Sequence, residues 1–370
     1  MISSWRRMAS ALVALALVTA GCTGTSAPTA SPVASVPAAT SAASPAASVT
    51  PAATAAPGTP GPRLTRVTLR LDFFISPHHI PFIVANERGY YAEEGLEVIL
   101  LEGRGSLSSL QIIAAGADTF GFVAGSTYAI GRAQDMPVQM VADYVQSNPG
   151  MLIFYCDQNI DSPEDLRGKT LAETPGATPG VDMLPALLNK YGMTRDDLNV
   201  VNLEPAARLP ALIEGRVDML SGFGFSTLGD VRLRAEEAGK GEICFLKFTD
   251  YDITLLGHGI VVNNESITNR PEVIEKFIRA SNRGWQDVID DHEAAAQTAS
   301  AAYPDTRPAF LSAGAAELEA TLHTPSSQGQ PLGWMAVEDW QETIDILTEF
   351  TDFTGDPDAQ TYFTNEFVEN

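Results

Sequence analysis

Past Arg63 the sequence alternates between strand-like and helix-like runs, and it does so in two consecutive rounds. "RVTLRLDFF" alternates with a period of two, "HIPFIVANERGYYAEEG" follows with helical spacing and a turn at Gly95, and "LEVILLEG" is strand-like again. "SLSSLQIIAAG", "TFGFVAG", "STYAIGRAQ" and "PVQMVADYV" continue as helix, strand, helix and strand. A second round begins at "GMLIFYC" and passes through "DSPEDLRGK", with the signs of a capped helix. It ends on the strand "GHGIVVNNE", after which helices dominate. This pattern specifies an α/β protein. Two rounds in a body of about 308 residues imply two lobes with a ligand held between them. The expected boundaries are 64–145 for the first part of lobe 1, 146–259 for lobe 2, and 260–370 for the return to lobe 1 with the C-terminal helices.

What precedes the body is different in kind. Residues 1–21 have the layout of an export signal: Arg6 and Arg7, the apolar "MASALVALALV", then small residues before Cys22. The apolar run is too short for a membrane span. A cysteine behind "TAG" resembles a bacterial lipobox, although Thr19 stands where such boxes carry Leu, Val or Ile; the resemblance implies lipidation of Cys22. Residues 22–63 form an Ala/Ser/Thr/Pro tether without a charged side chain before Arg63, and a segment so composed buries too little apolar surface to offset its chain entropy.

The chain carries a formal net charge of −23, and all of its charge except Arg6 and Arg7 lies from Arg63 onward. Such acidity argues against a nucleic-acid partner, which needs a surplus of Lys and Arg, and against direct adhesion to anionic lipid. Besides Cys22 only Cys156 and Cys244 remain, both in strand-like apolar runs; they either pair as a disulfide in an oxidising compartment or stay as two buried thiols.

The order and spacing of "HIPFIVANERGYYAEEGLEV", "EGRGSLSSLQIIAAGADTFGF", "DSPEDLRGKTLAE", "LLNKYGMTRDDLNVVNL", "LIEGRVDML" and "IVVNNESITNRPEVIEKFIRA" resemble the periplasmic solute-binding proteins of ABC importers. The resemblance is to the group of thiamine-pyrimidine-precursor binders, to which the fungal thiamine-pyrimidine synthases also belong. It implies a two-lobed type II periplasmic-binding-protein fold, a small-molecule solute, no cofactor, and permease and ATPase subunits as partners. It also implies a monomer held by its N-terminal lipid on the extracytoplasmic face of a bacterial membrane. Departures at Phe73, Ser76 and "GFSTLGD" widen the expected solute to a flat heterocycle such as a pyrimidine or flavin precursor, or a sulfonate.

Candidate contacts come from loops at strand ends, where open α/β sheets bind ligands. His79 matches the family's cleft histidine, whereas His78 fills a variable position and is expected to be incidental. Asp72, Phe73 and Phe74 end the first strand, and strand alternation predicts that one Phe faces the cleft. Ser126 and Thr127, like Ser106, open helices in the manner of N-caps. In lobe 2, Gly176, Thr178 and Gly180 of "TPGATPG" and Phe223 and Phe225 of "GFGFS" complete the set, with stacking assigned to the aromatics. No metal is expected, because His258, His292 and His323 are far apart in the sequence and the nearby acids are scattered. The synthases use a Lys and a His four residues on, where this chain has Val123 and Thr127, so no enzyme activity is expected.

Overall fold

A computed structural model describes residues 64–174 and 180–368. Ten strands form two five-stranded sheets. The first has the order β2 (Leu96–Leu101), β1 (Thr65–Arg70), β3 (Phe120–Ala124), β10 (His258–Asn263), β4 (Val138–Asp143). The second has the order β7 (Asn199–Asn202), β6 (Thr170–Glu173), β8 (Met219–Phe223), β5 (Gly150–Tyr155), β9 (Ile243–Lys247). Both sheets follow one scheme: three parallel strands, then an antiparallel strand that has just crossed over from the other lobe, here β10 and β5. The chain therefore re-enters the first sheet at His258, two residues before the expected boundary.

The two crossovers are hydrogen-bonded to each other. Tyr144 and Val145 N–H groups donate to the His258 carbonyl, and the His258 N–H donates to that of Val145. Gly257 permits the close approach, since a Cβ there would lie 2.1 Å from the Val145 carbonyl oxygen.

Central strands read as unbroken apolar runs because both faces are covered, as in Phe120–Val123. The helix Pro271–Asp290 buries Val273, Ile274, Phe277, Ile278, Ser281, Trp285 and Val288, a stripe of helical period. Gly284 lets it press against the helix Ile80–Glu87, where an added Cβ would meet the Pro81 carbonyl at 2.1 Å. The expected helix in "DSPEDLRGK" is only the short turn Pro163–Leu166. Ser162 and Asp165 cap it reciprocally, and Gly168, at φ +74°, stops it.

Cys156, just beyond β5, and Cys244 in β9 are joined in a disulfide across neighbouring strands, with Cα atoms 4.9 Å apart. The bond closes an 88-residue separation, which removes about 4–5 kcal/mol of loop entropy from the unfolded chain in the simple chain model. No described helix is long and apolar enough to cross a membrane.

Candidate functional site

A cavity of about 310 Å³ lies between the sheets, at the carboxyl ends of the parallel strands. Its first-lobe wall begins where β1 stops. Because β1 ends at Arg70, the segment after it is not a strand and side-chain alternation does not apply. Phe73 and Phe74 both line the cavity, edge to face with ring centroids 4.9 Å apart, and Phe74 is 53% exposed.

The loop after β2 locks this segment in place. Gly105 donates to the Asp72 carbonyl (2.7 Å), Ser109 Oγ to the Leu71 carbonyl (2.7 Å), and Glu102 Oε1 accepts from the Ile75 amide (2.9 Å). Gly103 is required here, since a Cβ would stand 2.1 Å from the Leu71 carbonyl oxygen.

At the cavity floor three imidazoles surround the buried Asp72. His79 Nδ1 accepts the Ser76 amide N–H (3.1 Å), which leaves Nε2 as the protonated nitrogen; it donates to Asp72 Oδ1 at 2.7 Å. His78 Nε2 lies 3.0 Å from Oδ1 and His258 Nε2 lies 3.3 Å from Oδ2. The Nδ1 atoms of both His78 and His258 are buried without a hydrogen-bond partner. Burial alone would push the Asp72 carboxyl up, but the His78 and His258 imidazoles outweigh it and hold the group well below the usual carboxylate range. Burial, followed by the neighbouring His79, pushes His78 down to about 3, so that this ring is neutral at ordinary pH.

These positions revise two expectations. His78, taken as incidental, lines the cavity, whereas His79 is fully buried behind Asp72 and does not. The Asp72 partnership consumes the His79 ring, and a 3-10 turn, Pro77–His79, aims the two adjacent rings differently. The chain separation that set His258 apart also has no counterpart in space: β10 carries it to within hydrogen-bonding range of Asp72.

Two helices open onto the cavity at Ser106 and Gly125. Their caps are Gly105 and Ala124, not hydroxyl residues, so the expected N-cap roles do not hold. Ser106 Oγ instead accepts the Ala124 amide (3.1 Å), and Ser126 and Thr127 lie in the cavity wall.

The second lobe contributes Phe223, Ser226, Thr227 and Arg208. Arg208 is clamped by backbone carbonyls of Ala172 and Ser221 and is pushed down to about 10 by burial; it remains a cation in the wall. Phe225 does not line the cavity. It is buried among first-lobe residues, 4.8 Å from the His78 ring and stacked on Phe223 at 5.2 Å, and so plugs one lobe into the other. Gly314 makes room for it, since a Cβ would lie 2.0 Å from the Phe225 carbonyl oxygen. Gly176 and Thr178 lie outside the described residues, and Gly180 opens the helix Gly180–Lys190. Arg208 had no sequence signal: it sits in "AARLPALIEG", which reads as an ordinary amphipathic helix.

Residues 76–295 match the model of the NMT1/THI5-like family. The chain belongs to that family. It is 29% identical over 332 residues to a riboflavin-binding protein, RibY, of Chloroflexus aurantiacus, covering 86% of this chain and 91% of the relative. It is 25% identical over 288 residues to a formylaminopyrimidine-binding protein of Halalkalibacterium halodurans, covering 77% and 85%. Among solved structures, the periplasmic aliphatic sulphonate binding protein SsuA of Escherichia coli superposes with a TM-score of 0.58 at 13% identity, over 81% of this chain and 92% of that one. This family member thus has the two-lobed periplasmic-binding-protein fold.

Proposed function

We propose that this NMT1/THI5-like chain is the exported, lipid-anchored solute-binding protein of an ABC importer, and that its solute is a flat heterocycle of the pyrimidine or flavin kind. The observation that carries this is the inter-lobe cavity, with Phe73 and Phe74 on one side and Phe223 on the other. Aromatic walls on opposite lobes favour a planar solute, which gains contacts from both only when the lobes are closed. Binding then shifts the population toward the closed form, the form a permease would recognise. The two relatives, a riboflavin-binding and a formylaminopyrimidine-binding protein, point to the same solute class.

Ser106, Ser126, Thr127 and Asn148 set hydroxyl and amide groups in the cavity lining for hydrogen bonds to the solute, and Arg208 suits a carbonyl or anionic group on it. That cation also favours a second reading, a sulfonate. A synthase is disfavoured: the position that would carry the Schiff-base lysine is Val123, fully buried in β3. Cys22 carries the proposed lipid. Replacing it with Ala should move the protein out of the membrane fraction.

Thermal-shift and calorimetric titrations with riboflavin, a hydroxymethylpyrimidine and an alkanesulfonate discriminate the readings. Phe223→Ala should weaken the bound heterocycle about tenfold, the loss of one ring contact. The heterocycle reading fails if only the sulfonate binds, and solute binding in this cavity fails if Phe223→Ala leaves every affinity unchanged.

A further inference from the structure

The floor of the cavity holds more than a solute wall requires. Asp72 is a buried carboxylate whose side-chain ion-pair partners, among the described residues, are all imidazoles; no Lys or Arg side chain is among them. His79 is committed to that carboxylate from behind, its tautomer fixed by the Ser76 amide. His78 and His258 are held on one side only, since the second nitrogen of each ring is buried and unpartnered. With Asp72 ionised, both rings direct their Nε2–H at it; a cation bound there takes the place of those two protons, and each neutral ring then carries its proton on the otherwise unpartnered Nδ1.

We propose that Asp72, His78 and His258 form a binding site for a divalent transition-metal ion of the zinc type, with the remaining coordination position facing the cavity. The two imidazoles converge on the carboxylate, one on each of its oxygens. A four-coordinate ion with ligands at about 2.0–2.1 Å needs neighbouring donors roughly 3.3 Å apart. His78 Nε2 and Asp72 Oδ1 are 3.0 Å apart, and His258 Nε2 and Asp72 Oδ2 are 3.3 Å apart. Ligand atoms of the three residues all lie within 4.8 Å of one another.

Two imidazoles and one carboxylate are a donor set for zinc and similar ions, and the nitrogen donors disfavour magnesium and calcium. His79 supplies the outer contact that such sites use to orient a ligating carboxylate. All three ligands belong to the first lobe, on the segment after β1 and on β10, so lobe opening does not dismantle the site. The open position lies where a solute nitrogen or oxygen can complete the shell, which makes the ion a means of selecting solutes with such a donor.

The test uses the full chain, stripped with a chelator and titrated calorimetrically with zinc alone. One equivalent should bind. His78→Ala and His258→Ala should each weaken it at least about tenfold, while Glu342→Gln, in the acidic surface patch between Asp252 and Glu349, should change nothing. Circular dichroism and melting establish that each variant folds. Where one does not, cobalt substitution in the intact chain decides: intense visible bands of a four-coordinate ion support the site, and the weak spectrum of a six-coordinate ion overturns it. No stoichiometric zinc in the folded chain, or zinc binding by both histidine variants as tight as that of the parent, also overturns it. Solute titration of the stripped protein is a separate measurement, so the metal site and the solute reading fail independently.

Discussion

Two aspartates are buried in the first lobe, and their surroundings treat them in opposite ways. Asp72, at the cavity floor, is ringed by three imidazoles and is held well below the ordinary carboxylate range despite its burial. Asp143, at the end of β4 where the chain leaves for the second lobe, has one oxygen accepting the Val145 amide (3.1 Å) and the other buried with no partner. Burial pushes its carboxyl well above the ordinary range, and the Asp339 carboxylate adds to the effect. The first is a charge kept in place by a built environment, and the second is a group the fold would sooner keep neutral. Burial by itself therefore says little about function; the partners brought to the group by other elements decide it.

The largest expected effect breaks the Asp72 side of this contrast. Asp72→Asn keeps one acceptor oxygen but removes the charge and sets an NH2 donor against a ring N–H, and this loss in a buried cluster should cost about 3 kcal/mol of stability in urea unfolding. A loss below about 1 kcal/mol would show that the imidazoles do not depend on the carboxylate.

His79→Ala comes next. The sequence suggests a solute contact whose loss weakens binding and spares the fold. A ring that is fully buried and bonded to both Asp72 and the Ser76 amide predicts the reverse: about 2 kcal/mol of lost stability, from two hydrogen bonds and a small cavity. His78→Gln, one residue away, should instead change solute affinity more than stability. Melting curves and solute titrations on the two variants separate the roles, and equal behaviour would erase the distinction between floor and support.

The sequence carried the architecture because strand and helix periods are local signals, and the wall aromatics because they sit at strand ends. It could not carry the aspartate–histidine cluster. His258 is 186 residues from Asp72, and only the antiparallel pairing of β10 with β3 brings it to the floor. The split between His78 and His79 depends on a three-residue turn that helix and strand periods do not encode. The sequence treats Phe223 and Phe225 alike, each directly behind a glycine in "GFGFS". The turn Gly224–Leu228 instead sends its two rings to different places, Phe223 to the cavity and Phe225 into the first-lobe core.

The smallest expected effect lies on the Asp143 side, and its pH dependence gives it away. The folded pKa of Asp143 lies above the ordinary 3.8, so its contribution to stability is present below about pH 4 and is lost as pH rises through the folded value. Asp72 has the opposite sign: its contribution is present above about pH 4 and is lost as pH falls through its lowered folded value. Asp143→Asn keeps the shape, retains an acceptor for the Val145 amide and cannot ionise. The variant should match the parent within about 1 kcal/mol near pH 4 and gain on it as pH rises toward 7. Urea unfolding of the two proteins at several pH values measures this difference. A variant that loses ground with rising pH would mean that the Asp143 carboxylate has a partner, and the contrast between the two aspartates would then be one of degree only.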